Sequence, residues 1–336
     1  MFTPIQTTFG ALLLHQATSL LLYGNGNILG ASGLIRRLFT SPTKGTVAFF
    51  AGMAASFVPL ALWIPEAMTK YPTAPVALGQ ALATVGCGLL VGWGTKAANG
   101  CTTGHMLCGL SRLSGRSAIA VATFFPAAIL THHLVHPSLL TDVCSGDVPC
   151  YLPVYPSRET TTSLAILTVT TILAARTLPH LVAKWTKTED IKCDPNVPAR
   201  IATQFFAGLE LGLGLHITQM SHPAKVASFL SMPNWEVWDP SMALVMVFGV
   251  LPSLIENQIK GFSAPPCFNE KFELPQKTVR DIDWKFVVGA AVFGVGWGLS
   301  GTCPGPAILR SFAQPAWGFL WMGGFWAGAQ MLREGC

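Results

Sequence analysis

The chain has 336 residues, of which 51% are hydrophobic and 11% charged, and its mean hydropathy is +0.47. Soluble domains carry about 25% charged residues, so this chain cannot coat a water-facing globule of its size and reads as an integral membrane protein. Its net charge of +5 is modest and not gathered into one basic tail, which argues against nucleic-acid binding.

A bilayer crossing needs roughly 17–25 mostly apolar residues. Nine such stretches follow in chain order, near 7–24, 45–64, 75–95, 116–135, 160–178, 200–217, 240–259, 284–301 and 314–332. Four shorter pieces, near 30–39, 102–113, 222–231 and 304–313, each follow a span after a Gly- or Pro-rich break. Such broken helices are tolerated at membrane depth only where protein or a water-filled cavity surrounds them. The expected fold is therefore all-α and membrane-integral, with about nine transmembrane helices and four short re-entrant ones.

The longest polar loops are 136–159, 179–199 and 260–283. The stretch 179–199 reads as a cytoplasmic linker between a first repeat half, 1–178, and a second, 200–336. Positive charge marks the cytoplasmic side. Four groups fall on one side when the spans alternate: Arg36, Arg37 and Lys44; Arg112 and Arg116; Arg176, Lys184, Lys187, Lys192 and Arg200; and Lys260, Lys271, Lys277, Arg280 and Lys285. That puts the N-terminus outside and the C-terminus in the cytoplasm. No secretory leader, presequence or lipidation motif is legible, so the plasma membrane is the expected location.

Nine cysteines include no CxxC pair. Cys144 and Cys150, in CSGDVPC, are candidates for a disulfide, which the expected outside placement of their loop permits. Cys101, His105 and Cys108 have a metal-like spacing, but a fourth ligand is lacking, so no metal or other cofactor is expected. His132, His133 and His136 cluster at a span end and read as interfacial. Glu210 is an ionisable residue inside a span, with a functional and a structural reading equally open. Nothing resembles a nucleotide-binding loop.

Internal repetition carries most of the functional information. VGWGTKAANGCTTGHMLCGLSR (91–112) and GVGWGLSGTCPGPAILR (294–310) share Gly-Trp-Gly, then a cysteine flanked by Gly and Thr, then a short helix ending near arginine. GNGNILGASGLIRRL near Gly24 and GLHITQMSHPAKVASFL near Gly214 form a weaker pair. Counted in spans, the stronger copies have opposite orientation, the plan of inverted-repeat transporters whose sites lie where discontinuous helices meet. Pro304 and Pro306 suit the first turn of a new helix, and Gly301 and Gly305 let backbone approach a ligand. Cys303 then sits at a helix N-terminus with Thr302, where free N–H groups favour an anion. Cys101 has the equivalent place between Gly100 and Thr102, with Thr102 and Thr103 as N-cap candidates for their own helix and Gly104 and His105 within it. A thiol is a weak, polarizable donor suited to a soft sulfur anion.

These segments, GWGTKAANGCTTGH with GLSRLS, GLGLHITQMSHPAKVASFL and GWGLSGTCPGPAI, resemble the YeeE/YedE sulphur transport family over most of the chain. The resemblance implies inverted halves narrowed at the middle and uptake of thiosulfate, relayed by cysteines that match Cys101 and Cys303. The segment YGNGNILGASG lacks the additional cysteine of bacterial members, and Asn25 and Asn27 are candidate donors there. The expectation is thus a non-enzymatic transporter of a small sulfur anion in the lipid bilayer, with an intracellular sulfur-accepting protein as a candidate partner. The competing readings are a membrane thiol enzyme, or a sulfur or selenium carrier, using Cys101 and Cys303 covalently, and a pore for other anions.

Overall fold

The computed structural model describes residues 1–135, 149–186, 192 and 194–332. Among them the chain is helical throughout, its only β pairing being the isolated bridges Phe2 to Pro153 and Asn27 to Glu273. The helices are α1 (Pro4–Asn25), α2 (Ala31–Thr40), α3 (Lys44–Trp63, interrupted at Ser56), α4 (Leu78–Ala97), α5 (Thr103–Leu110, wound as a π-helix), α6 (Gly115–Val135) and α7 (Arg158–Thr186). They continue with α8 (Pro198–Ile217), α9 (Pro223–Leu230), α10 (Ser241–Lys260), α11 (Trp284–Ser300), α12 (Pro304–Ala313) and α13 (Pro315–Met331).

Each expected span coincides with a helix, but length and hydropathy mark six stretches as able to cross a membrane: α3, α4, α6, α7, α10 and the run Trp284–Ala313. The difference has a physical cause. α13 has only 17 residues. α1 and α8 carry more polar residues because protein, rather than lipid, surrounds them, and every residue of α8 from Glu210 to Ile217 is buried. A helix facing lipid needs apolar side chains outward, and α7 shows this division. Its stripe Leu164, Thr168, Thr171, Ala175 and Pro179 is buried at helical spacing, while Ile166, Val169 and Leu173 are exposed. Exposed Val58, Leu62, Leu130, Leu134 and Ile255 extend that apolar surface over α3, α6 and α10. α7 continues through Pro179 to Thr186, eight residues into the stretch read as a linker.

The chain repeats one unit four times: long helix, break, short helix, long helix. The units are α1-α2-α3, α4-α5-α6, α8-α9-α10 and α11-α12-α13, with α7 between the second and third. Each first helix ends in a left-handed residue, Gly26 (φ 76°), Asn99 (φ 54°), Gln219 (φ 57°) or Gly301 (φ 59°). That conformation stops the helix and turns the chain.

Packing follows the repeat. α8 packs on α1 and α3, and α1 on α10. In the same order α11 packs on α4 and α6, and α4 on α13. Glycines make these contacts close. A Cβ on Gly52 or Gly208 would strike the facing backbone between α3 and α8, and one on Gly88, Gly92, Gly324 or Gly328 would do so between α4 and α13. Gly10 meets Gly214 and Thr218, and Gly24 meets Thr203, so α1 runs antiparallel to α8. Gly289 meets Ala97 and Ala98, and Gly296 meets Val91, so α4 runs antiparallel to α11. Corresponding first helices of the two halves thus point in opposite directions.

The two ends of α1 are held by different bonds. At the start of α1, Lys225 Nζ lies 3.0 Å from Asp239 and donates to Met1 O and Thr3 Oγ1. Cys150 N donates there to Glu236 O. At the other end of α1, Asn25 Nδ2 donates to Arg200 O, and Asn269 Nδ2 donates to Asn25 O.

Candidate functional site

The starts of the four short helices meet in the middle of the bundle. Ala31 N, at the first turn of α2, donates to Thr103 Oγ1 at 3.0 Å. A Cβ built on Gly305, in the first turn of α12, would lie 3.9 Å from Thr103 Cγ2 and 4.0 Å from Ala31 Cβ. One on Gly301 would lie 2.7 Å from the Pro223 carbonyl at the start of α9. The sequence dictates these starts: left-handed residues end the preceding helices, and Pro223, Pro304 and Pro306 lack the N–H that a first helical turn leaves unused.

Cys101 and Cys303 stand at this junction, both buried. Cys101 Sγ lies 3.1 Å from Thr103 Oγ1, in a hydrogen bond that either group can donate. The Cys303 thiol has the Thr102 hydroxyl and Cys101 among its neighbours. Cys108 is buried and donates to Leu29 O at 3.4 Å. The expected capping role of the threonines is altered in one respect. Neither caps its own helix; Thr103 instead supplies the acceptor for α2, whose N-cap position is Gly30 and has no side chain to offer.

Two unlike cavities adjoin the junction. One, of about 250 Å³, is lined by Arg36, Arg37, Arg112, Arg116 and Lys277 together with Asn27, Gly100, Gly104 and His105. Arg112 also donates to Cys108 O at 2.8 Å. Burial pulls the Arg112 guanidinium below its ordinary range. The other cavity, of about 270 Å³, is apolar and lined by Thr102, Thr103, Cys303, Trp297, Phe125 and Phe229. Met106, Met220, Met242 and Met246 also line it. Two π-helical stretches, α5 and Met246–Val250 within α10, touch one another beside it. Such distortions redirect side chains and recur at functional sites. A third cavity, of about 260 Å³, is lined by Thr302, Ser300, Cys87 and Arg310, whose guanidinium lies 4.3 Å from the Trp317 ring centre.

The sequence-predicted residues therefore divide. Cys101, Thr102, Cys303, Pro304 and Gly305 form the junction. Gly301 ends α11 beside it. Gly100, Gly104, His105 and Asn27 line the basic cavity, and Thr302 lines the third. Asn25 lies elsewhere, at the far end of α1 on Arg200. His105 has both ring nitrogens occupied, Nε2 at 3.1 Å from Ala98 O and Nδ1 at 3.1 Å from Ser117 Oγ. A carbonyl only accepts, so Nε2 carries the proton and Nδ1 accepts from Ser117. Gly100 makes room for this ring, since a Cβ there would fall 2.6 Å from Nε2. Cys150 is disulfide-bonded; Cys144 lies outside the described residues. The methionine lining was not read from the sequence. Its four residues come from two units of the chain, the second and the third, and spacing along the chain does not bring them together. No group of three or more His, Cys, Asp or Glu fit to hold a metal occurs among the described residues.

What this arrangement can do chemically is hold an anion without burying a cation against it. Helix N-termini present N–H groups and positive dipole ends, while the arginines stand in the adjoining cavity. Thiols and thioethers make the surface soft and weakly polar.

Residues 199–332 match the model of a family of unknown function, DUF6691. A protein of Xylella fastidiosa (strain 9a5c) named "Probable transporter" is 38% identical over 113 residues, 34% of this chain and 75% of that protein. A second protein of that strain with the same name is 35% identical over 123 residues, 36% of this chain and 87% of that protein. A protein of that name from the Temecula1 strain is 38% identical over 109 residues, covering 32% of this chain and 72% of its own length.

Proposed function

The chain belongs to the same family as the probable transporters of Xylella fastidiosa, and from that premise we propose that it carries a small sulfur-containing anion, thiosulfate first, past Cys101 and Cys303. The observation that bears most of this reading is the meeting of short-helix N-termini at the two thiols. It is the centre that a sulphur-transport protein of the YeeE/YedE kind would need. The basic cavity attracts the anion on one side. The apolar, sulfur-rich cavity on the other favours a weakly hydrated, polarizable anion over a hard oxyanion such as sulfate.

The basic end is then cytoplasmic by the positive-inside rule, with the plasma membrane as the location and the N-terminal end of α1 outside. A protein that accepts sulfur would meet the anion at the arginine-lined mouth. The antiparallel pairing of corresponding helices supports alternating access, in which one half rocks against the other around a fixed centre.

The test is uptake of labelled thiosulfate into proteoliposomes by wild type, Cys101→Ala and Cys303→Ala. Wild type is expected to accumulate label, and each substitution to abolish uptake while the protein still elutes as a folded species. Uptake surviving both substitutions removes the thiol path. Well-folded wild type that takes up none overturns thiosulfate as the substrate.

A further inference from the structure

Glu210 lies in the middle of α8 and is 0% exposed. Neither carboxylate oxygen has a hydrogen-bond partner among the described residues. An ionised carboxylate in such a place lacks the partners that offset lost hydration, a deficit of several kcal/mol. A carboxyl group there resolves the conflict by holding a proton. Nothing in the thiol path uses it.

Its surroundings are specific. α1 and α8 are antiparallel, with Gly10 beside Gly214 and Gly24 beside Thr203, so Glu210 falls at the level of Gln16 and Ala17. Arg176 of α7 donates to Gln16 Oε1 at 2.8 Å and is a charged neighbour of Glu210. His15 of α1 is turned instead to Ser253 and Glu256. α3 carries only Lys44, in its first turn, and Arg310 of α12 is engaged with Trp317. A cavity of about 160 Å³ lined by Arg176, Gln16, His180 and Lys260 reaches this level. On the same two helices, Leu14 and Leu215 line the apolar sulfur-rich cavity. The seam between α1 and α8 thus separates a polar cavity from the transport centre, with Glu210 on it.

We propose that Glu210 is a proton-carrying site that couples anion passage to proton movement, an inference that rests on the transporter reading above. In the arrangement seen here the carboxyl holds its proton. When the seam opens, its O–H bond breaks, the proton passes to water in the Arg176 cavity, and the carboxylate left behind is compensated by the Arg176 guanidinium. No other reactant is needed. Ionisable residues within a membrane mark ion pathways and proton relays in transporters.

The experiment uses the full chain in proteoliposomes, with labelled thiosulfate and an imposed pH gradient, in wild type, Glu210→Gln and Glu210→Asp. Wild-type accumulation is expected to rise with the gradient. Glu210→Gln is expected to lose that response entirely, and Glu210→Asp to restore part of it. A Glu210→Gln protein that responds to the gradient as wild type does overturns the proposal. A second readout needs no substrate: infrared difference spectra should show a protonated-carboxyl band that titrates in wild type and is missing from Glu210→Gln. A band that is absent from wild type, or present but unmoved by pH, also overturns it. If wild type moves no thiosulfate, the substrate assignment falls alone and the titrating band still decides the proton site.

Discussion

Thr103 uses one hydroxyl for two partners from different parts of the chain, the Ala31 N–H and the Cys101 sulfur. Thr103→Val keeps the shape and removes both bonds. It leaves the Ala31 N–H unsatisfied in the interior, which costs about 1–3 kcal/mol. Thr103→Ser should behave as wild type, and thermal unfolding in detergent distinguishes the two. At this scale the sequence was partly legible. Cys101, Cys303 and the flanking threonines are marked by the repeat, because Gly, Pro and Thr around a cysteine inside an apolar run have few other uses. The direction of Thr103's bond was not legible, since its partner stands 72 positions away. Nor was the turn at Gln219 (φ 57°), where a glutamine takes a conformation that sequence signals assign to glycine or asparagine. Its side-chain amide donates to Ala67 O and His216 O, which helps hold it there.

Between elements, glycine sets how near two helices lie. α13 offers a contrast on one helix: a Cβ on Gly328 would strike the Leu89 carbonyl of α4, whereas one on Gly323 meets nothing within 4 Å. Gly328→Ala should therefore destabilise by about 1–3 kcal/mol, as overpacking does. Gly323→Ala should stabilise by up to about 1 kcal/mol, because alanine is the better helix former. Opposite shifts in melting temperature would confirm the pairing of α4 with α13, and equal shifts would refute it. The existence and limits of the short helices were well read from glycine and proline punctuation; 304–313 is α12 residue for residue. The π winding of α5 was not, because hydropathy does not separate a π turn from an α turn. Pairing across the halves was not either, since every helix here has apolar faces and nothing in their periodicity names the partner.

For the whole molecule, five cations gather around one cavity. Arg37 and Lys277 line the basic cavity yet are exposed, so replacing both with glutamine should spare the fold. The expected cost to anion capture is about 1 kcal/mol, roughly fivefold in half-saturating concentration. The defect should shrink as salt screens the cavity in wild type too. Uptake kinetics at two ionic strengths test this, and an unchanged concentration dependence would argue that the anion does not enter by that mouth. That Arg36, Arg37, Arg112, Arg116 and Lys277 line one cavity agrees with their grouping by loop charge. The interlocking of the units was not legible in the sequence, and it has a consequence for how the molecule is made. The first unit packs on the third and the second on the fourth, so neither unit that leaves the ribosome first finds its partner at once. The faces of α1 and α3 that meet α8 stay open in the bilayer until α8 is synthesised, and the faces of α4 and α6 that meet α11 until α11 follows. Assembly must therefore wait on the later half of the nascent chain.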